Sequence, residues 1–183
     1  MSWNLDNSHS RIGFAVKHMM VSTVRGEFKT YTGSLQLDEA DFTRSVITGE
    51  IDVASIDTRD EGRDGHLKGA DFFDVENHPK MTFKSTRIEA KGGNEYVVYG
   101  DLTIRGVTRE IAVETEYSGK HQNPWGATVT GFSGTATINR KDFGLEWNVA
   151  LETGGILVGE KVKLEIEVEL SQQAAPVAEA ASV

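Results

Sequence analysis

The chain has 183 residues, and its 28 acidic against 19 basic residues give a formal charge of −9. The length fits one domain, and an acidic chain without a basic stripe disfavours a nucleic-acid partner. Because there is no cysteine, disulfides and thiolate chemistry are excluded, and a metal site would depend on histidine and carboxylate ligands.

Short runs in which apolar and polar residues alternate recur along the chain and predict half-buried strands. In chain order, their apolar positions are Ile12, Phe14 and Val16; Ile47, Ile51 and Val53; Met81 and Phe83; Leu102 and Ile104; Ile111 and Val113; Phe132, Ala136 and Ile138; and Val162, Leu164, Ile166, Val168 and Leu170. Turn signals such as Gly33, Gly92-Gly93-Asn94, Gly106 and Gly119 separate the runs. About eight antiparallel strands on short connections predict an all-β sandwich or barrel, and we favour the barrel because closure removes exposed edges.

A charged, glycine-containing segment interrupts the strands and predicts a short helical insert around residues 59–75. Thr58 and Glu61 have the spacing of a capping box, and Gly69 is suited to end the helix. The insert is expected to pack onto the barrel as a lid or plug through its apolar residues, Leu67, Phe72 and Phe73.

The two ends of the chain predict one domain, residues 1–171, followed by a disordered tail, residues 172–183. The tail is rich in alanine and lacks large apolar residues. The first residues do not resemble a secretory signal, and no long apolar run predicts a membrane span. We therefore expect a cytoplasmic protein, or a periplasmic one if the chain is a mature form.

Several ordered motifs at compatible spacing extend over roughly residues 3 to 171. They are Asp6 with His9-Ser10; Ile12, Phe14 and His18; Gly26 with Phe28; residues 55–58; Arg63-Asp64 with His66-Leu67; residues 71–74; Pro79 and Phe83; residues 100–108; residues 139–144; and residues 158–162. In these motifs the chain resembles the YceI-like family of polyisoprenoid-binding, lipocalin-like proteins.

The resemblance implies an extended eight-stranded antiparallel barrel around an elongated apolar pore. In that family the pore holds a long isoprenoid chain or another long-chain amphiphile, and the protein is a homodimer. We therefore expect the chain to bind and sequester or transport a long-chain lipid, without a cofactor, a nucleic-acid partner or an integral membrane segment.

A lipid pore requires an apolar lining, because the ligand binds through the surface it removes from water. The candidate ligand-binding residues are Phe14, Val16, His18, Met19, Met20, Phe28, Phe72, Phe73, Phe83, Leu102, Ile104, Phe132, Ile138 and Phe143. The alternative is that these side chains fill a solid core. His18 shares the strand parity of Phe14 and should point inward, either to a headgroup or to a buried hydrogen-bond partner.

Two residues of the insert, Arg63 and His66, are candidate headgroup contacts, since a guanidinium can bind a diphosphate. Arg63 is equally suited to a structural ion pair with a nearby aspartate. Asn139, Arg140 and Asp142 indicate a structural turn in which Asp142 accepts backbone hydrogen bonds.

The sequence contains no pattern typical of a catalytic centre. Its five histidines are scattered, without the local spacing of a metal site. We therefore predict a protein that is not an enzyme and has no metal. The alternatives are a non-catalytic interaction module with a solid barrel and, further away, a hydrolase or metal-dependent enzyme whose residues meet only in space.

Overall fold

Eleven strands, one α-helix and three short 3-10 helices form the part of the chain described by this computed structural model, residues 3–172. The strands are β1 (Asn4–Leu5), β2 (Arg11–His18), β3 (Ser22–Phe28), β4 (Tyr31–Gln36), β5 (Val46–Asp52), β6 (Ile56–Asp57), β7 (Lys80–Gly92), β8 (Glu95–Ile104), β9 (Val107–Gln122), β10 (Thr128–Asn139) and β11 (Val158–Gln172). The helix α1 is Glu61–Lys68, and the 3-10 helices are Phe42–Arg44, Val53–Ser55 and Arg140–Phe143.

All strand pairs are antiparallel, in the order β4-β5-β7-β8-β9-β10-β11-β2-β3-β6, and β1 pairs with the end of β11. The two ends of this order meet, because β3 pairs with β6 and β4 with β5, while β5 and β6 are joined only by the helix Val53–Ser55. The sheet thus curls into a barrel, and the predicted antiparallel lipocalin-like barrel with a helical insert is confirmed.

The strand count differs from the predicted eight because three walls of the barrel are interrupted. Both β1 and β2 pair with β11, so they form one wall broken by a loop. In the same way, β3 and β4 form a second interrupted wall, and β5 and β6 form the third, which pairs with it. Alternation alone does not reveal such interruptions, since it continues in phase across a short break.

The helix α1 begins at a different residue from the predicted one. Its N-cap is Asp60, whose side chain accepts a hydrogen bond from the Arg63 backbone N–H at 2.9 Å. Thr58 instead donates its N–H and hydroxyl to Asp64 Oδ1, at 2.9 and 2.5 Å. The capping prediction for Thr58 is wrong because Arg59, with φ +62, turns the chain before the helix begins. The predicted end is confirmed, since Gly69 is the C-cap.

Buried apolar side chains form three groups along the barrel, and the middle one contains Phe42, Ile88, Val98, Val113 and Ala136. The other two lie toward its ends. One group, which includes Phe72 and Phe143, packs around the start of β11 near Val162. The other, which includes Trp3, packs around Leu170 near the end of β11. Every buried side-chain nitrogen or oxygen within residues 3–172 has a hydrogen-bond partner.

The last strand ends at Gln172, which the sequence assigned to the tail. The rest of the predicted tail, residues 173–183, lies outside the described residues. Within the described part, no helix is both long and apolar enough to cross a bilayer.

Candidate functional site: an apolar cavity inside the barrel

The barrel contains a cavity of about 290 Å³. A single water needs only about 10–15 Å³ on a comparable measure, so this is a ligand-sized space rather than a packing defect. Strands β1 to β5 and β7 to β11 contribute to its wall, together with α1 and the segment that follows it. The wall is almost entirely carbon, and Arg140 is the charged residue among the described lining residues.

The cavity is elongated along the strands. Its lining residues on β11 extend from Val158 to Leu170. At about 3.3 Å per residue, this stretch covers about 40 Å of strand. A long, narrow apolar space of this kind matches a flexible chain better than a compact ligand.

Most of the predicted lining residues border this cavity. They are Phe14, Val16, Phe28, Phe72, Phe73, Phe83, Leu102, Ile104, Phe132, Ile138 and Phe143. Phe14, Phe73 and Phe83 pack against the core on one side and remain only half-buried, because they also border the cavity. The placement of these residues is thus described by the structure, whereas their contact with a ligand stays a prediction.

Three predicted lining residues do not border the cavity. Met19 and Met20 lie in the turn after β2, with φ values of 52° and 62°, and are 47% and 66% exposed. His18 ends β2 opposite Val158 and is half-buried, outside the lining. Side chains alternate between the two faces only within a strand, and β2 ends at His18. The assignment of His18, Met19 and Met20 as pore-lining residues is therefore corrected.

Two glycines make room for phenylalanine rings at the cavity wall. A Cβ at Gly26 would come within 2.4 Å of Phe14 Cζ, and one at Gly100 within 2.4 Å of Phe83 Cζ. Both distances are far below van der Waals contact. The rings therefore occupy space that a side chain on the neighbouring strand would otherwise fill, and the centre of the barrel stays open.

The sequence prediction missed three parts of the wall. They are formed by β4 and β5, through Tyr31, Leu35, Ile47 and Ile51; by β9, through Ile111 and Val113; and by β11, through Val162, Leu164, Ile166, Val168 and Leu170. Their alternating pattern was visible in the sequence and could have placed most of them on the inner face. The prediction favoured aromatic residues and methionine and included only four aliphatic residues, Val16, Leu102, Ile104 and Ile138, so most of the aliphatic wall was overlooked.

The insert covers one end of the cavity, as expected from its apolar residues. Leu67, Phe72 and Phe73 border the cavity. The candidate headgroup residues Arg63 and His66 are instead exposed and do not line it.

Both of these polar side chains are held within the insert region. Arg63 donates from Nε to Thr58 Oγ1 at 2.8 Å and from Nη2 to Thr58 O at 2.7 Å. His66 Nε2 lies 2.9 Å from Asp71 Oδ2, and its ring is perpendicular to Trp147 at 4.6 Å. Arg63 therefore fixes the insert to the barrel through Thr58 rather than through the expected aspartate.

The turn after β10 is structural, but its hydrogen bonds differ from the prediction. Asn139 Oδ1, rather than Asp142, accepts the backbone N–H of Lys141 at 3.0 Å. Gly144 ends the 3-10 helix with φ +78, a conformation that favours glycine. The turn brings Arg140 inside the barrel, where it is only 4% exposed.

Outside the cavity, Asp6, His9 and Glu169 place one ligand-type atom each within 4.8 Å of one another. His9 Nδ1 lies 2.9 Å from Asp6 Oδ2 and 4.0 Å from Glu169 Oε1. Hydrogen bonds from His9 and then Ser8 lower the pKa of Asp6 from 3.8 to about 2, and Asp6 in turn raises the pKa of His9. The cluster therefore anchors the loop between β1 and β2 to β11.

The Asp6–His9 pair makes stability depend on pH in a defined window. The contribution of Asp6 is lost as the pH falls from 3.8 toward about 2, because its pKa is depressed in the fold. The contribution of His9 is present below its ordinary pKa of 6.5 and is lost as the pH rises through its raised pKa. We expect Asp6→Asn to lower the His9 pKa toward 6.5. It should destabilise the fold mainly at pH values above 3.8 and below the raised pKa of His9, where both groups are charged in the wild type.

Nuclear magnetic resonance titration of the His9 ring, with urea unfolding across the same pH range, measures both effects. The control is Asp142→Asn, the same change at an exposed aspartate in the 3-10 helix after β10. An unchanged His9 pKa in Asp6→Asn would contradict this account.

The fold and the interior together define a lipocalin-like β-barrel with an apolar cavity. A family model described as the YceI-like domain matches residues 3–170, and the chain belongs to this family. A UPF0312 protein of Staphylococcus epidermidis is 45% identical over 170 residues, covering 92% of this chain and 96% of that protein. A UPF0312 protein of Staphylococcus aureus is 42% identical over 171 residues, covering 93% and 97%.

Solved structures show the same fold. BcnA of Burkholderia cenocepacia is 28% identical with a TM-score of 0.76, covering 91% of this chain and 99% of that one. The YceI protein of Campylobacter jejuni is 30% identical with a TM-score of 0.72, covering 86% and 90%. A polyisoprenoid-binding domain from Saccharophagus degradans, implicated in plant cell wall breakdown, is 16% identical with a TM-score of 0.68, covering 93% and 98%. At that identity the last likeness concerns the fold alone.

Proposed function

We propose that this protein binds a long-chain amphiphilic lipid, of which a polyisoprenoid is the preferred candidate, and sequesters or transports it with the chain inside the barrel. The observation that carries the proposal is the elongated apolar cavity of about 290 Å³. Apolar ligands gain about 25 cal/mol for each Å² removed from water, so a carbon-lined tube is suited to hold them. The polyisoprenoid binding named for the Saccharophagus degradans domain supports the choice of ligand class.

The cavity also bears on the alternative of a solid interaction module. In such a module, inward side chains would pack against one another, and residues such as Phe14 and Phe83 would be fully buried. Because both residues are only half-buried inside the barrel, we favour a binder instead. The proposal assigns the protein no chemical reaction on the ligand and no cofactor.

The first test is to purify the protein without detergent, extract it with organic solvent and identify bound molecules by mass spectrometry. A metal assay on the same sample addresses the enzyme alternative. We expect a long-chain lipid at close to one molecule per barrel. An empty protein that also fails to take up added geranylgeraniol would overturn the proposal.

Filling the cavity should block uptake. Leu164 is half-buried, borders the cavity and lies between Phe14 and Ala136 on the neighbouring strands. We expect Leu164→Trp to lower geranylgeraniol affinity at least about tenfold, because the indole occupies ligand space, and to change the free energy of unfolding by no more than about 1–3 kcal/mol. Equilibrium uptake and urea unfolding measure the two effects.

The control for this change is Thr137→Trp, an exposed position on β10 that pairs with Lys163. It adds the same indole to the outside of the barrel and should leave uptake unchanged. Equal uptake by wild type and a folded Leu164→Trp variant would mean that the ligand lies elsewhere.

The homodimer and the cytoplasmic location stay predictions. Light scattering coupled to size-exclusion chromatography measures the first, and cell fractionation measures the second.

A further inference from the structure

Arg140 places a buried positive charge at the cavity wall without a carboxylate beside it. Its side chain lines the cavity, and the residue is only 4% exposed. The carboxylate of Glu160, which acts on it from a distance, pairs instead with Lys141 Nζ at 2.8 Å. Within residues 3–172, no carboxylate lies within ion-pair distance of the Arg140 guanidinium.

The guanidinium is held by backbone carbonyl groups from the segment before β11 and from the start of that strand. Nε donates to Gly159 O at 2.8 Å, and Nη1 donates to Leu145 O at 2.6 Å and Trp147 O at 3.0 Å. Nη2 donates once, to Val158 O at 3.2 Å. Because a guanidinium has five N–H groups, one Nη2 N–H has no partner among the described residues.

These carbonyls orient the guanidinium but do not neutralise it. Burial lowers the pKa of Arg140, yet an arginine keeps its charge at neutral pH. A buried charge without a counter-charge is costly, and its attraction for an anion is stronger in apolar surroundings than in water. Phe72, Phe143 and Leu145 provide such surroundings, since they border the same end of the cavity.

We propose that the cavity selects amphiphiles with an oxyanion headgroup, a carboxylate or a phosphate, which binds the remaining Nη2 N–H of Arg140 while the tail extends along the barrel. This inference rests on the proposed lipid-binding function and specifies its ligand. It also replaces Arg63 and His66 as headgroup contacts, because both lie outside the cavity and are engaged by Thr58 and Asp71.

The test compares ligands that share a tail and differ only in the headgroup. Delipidated protein is titrated with geranylgeranyl phosphate and geranylgeraniol, and separately with oleate and oleyl alcohol, below the concentrations at which they aggregate. For the preferred oxyanion we expect roughly ten- to hundredfold tighter binding than for the matching alcohol, as a charged hydrogen bond in a buried site allows. The pair with the larger ratio distinguishes phosphate from carboxylate.

Three variants locate the effect. In Arg140→Gln the ratio of anion to alcohol affinity should fall to about one, and in Arg140→Lys part of it should return, because the charge is kept. Arg63→Gln, an exposed arginine outside the cavity, should keep the wild-type ratio. A folded Arg140→Gln protein with an unchanged ratio would overturn the inference.

The outcomes separate this inference from the proposed function. If the wild type binds each alcohol as tightly as the matching anion, the lipid site stands and the headgroup assignment fails. If neither tail binds with any headgroup, the proposed function itself fails.

If Arg140→Gln does not fold, nuclear magnetic resonance of the arginine Nε–H groups decides the matter. The Arg140 signal is the one missing in Arg140→Lys. It should shift when the preferred anion binds, and an unmoved signal at saturation would contradict the inference.

Discussion

Phe83→Asp is expected to abolish lipid uptake at neutral pH and to lower the free energy of unfolding by several kcal/mol. Phe83 borders the cavity, and its strand neighbours Gly49 and Leu102 offer no counter-charge. An aspartate there must either ionise in apolar surroundings or keep its proton through a raised pKa, and both states are costly. A charged or strongly hydrated group in the tube would also repel an apolar chain. Geranylgeraniol uptake and urea unfolding at pH 7 measure the two effects.

Two matched variants show which property matters at this position. Phe83→Leu keeps the site apolar and should retain uptake within about tenfold, with a loss of stability of about 1–3 kcal/mol. Thr137→Asp introduces the same carboxylate on the exposed outer face of β10, opposite Lys163, and should change stability by no more than about 0.5 kcal/mol. Retained uptake in a folded Phe83→Asp protein would place this side chain outside the ligand path.

Phe143→Ala is expected to destabilise the fold by roughly 3–5 kcal/mol. Phe143 is only 2% exposed, the largest of the most deeply buried side chains within the described chain. It packs in the same group as Phe72 and Ile138, where the turn after β10 meets the insert. Removing its ring leaves a hole that the surrounding strands cannot close, since their backbone is fixed by the sheet.

The measurement is urea unfolding of delipidated protein, because bound lipid would add its own stabilisation. For a chain of this length the change corresponds to a fall in Tm of roughly 6–20 °C. Trp125→Ala, which removes an 88% exposed aromatic ring from the turn before β10, should change stability by no more than about 0.5 kcal/mol. A loss below 1 kcal/mol in Phe143→Ala, if found, would mean that the ring bears little of the packing.

Strand periodicity was enough to predict the barrel and much of its inner wall. Phe14 and Phe83 were identified because side-chain direction in a strand depends only on parity, which is local information. The same rule failed for His18 and Met19, where the strand ends and the chain turns. The predicted cap at Thr58 failed for a similar reason, since one residue with positive φ moved the helix start.

The burial of Arg140 beside the cavity could not be predicted from the local sequence. Its hydrogen-bond partners extend from Leu145 to Gly159, and they meet only because the chain returns from the loop into β11. From the sequence, Arg140 is one cation in a turn, and the pattern around it indicates only that turn. Burial beside a cavity depends on the assembled barrel, which is why the more conspicuous Arg63 was preferred as a headgroup contact.

The glycines at positions 26 and 100 determine how far two phenylalanine rings extend into the cavity. Each makes room for a ring by lacking a side chain of its own. A methyl group at Gly26 would meet only side-chain atoms, chiefly Phe14, and would push that ring toward the axis. At Gly100 it would also meet the Lys84 backbone carbonyl at 2.7 Å, so the strand itself would have to shift. The thickness of chain that fits would then change although no residue in contact with that chain had been replaced. A substitution at Gly26, which does not itself border the cavity, would thus change the selectivity between a slender and a branched tail.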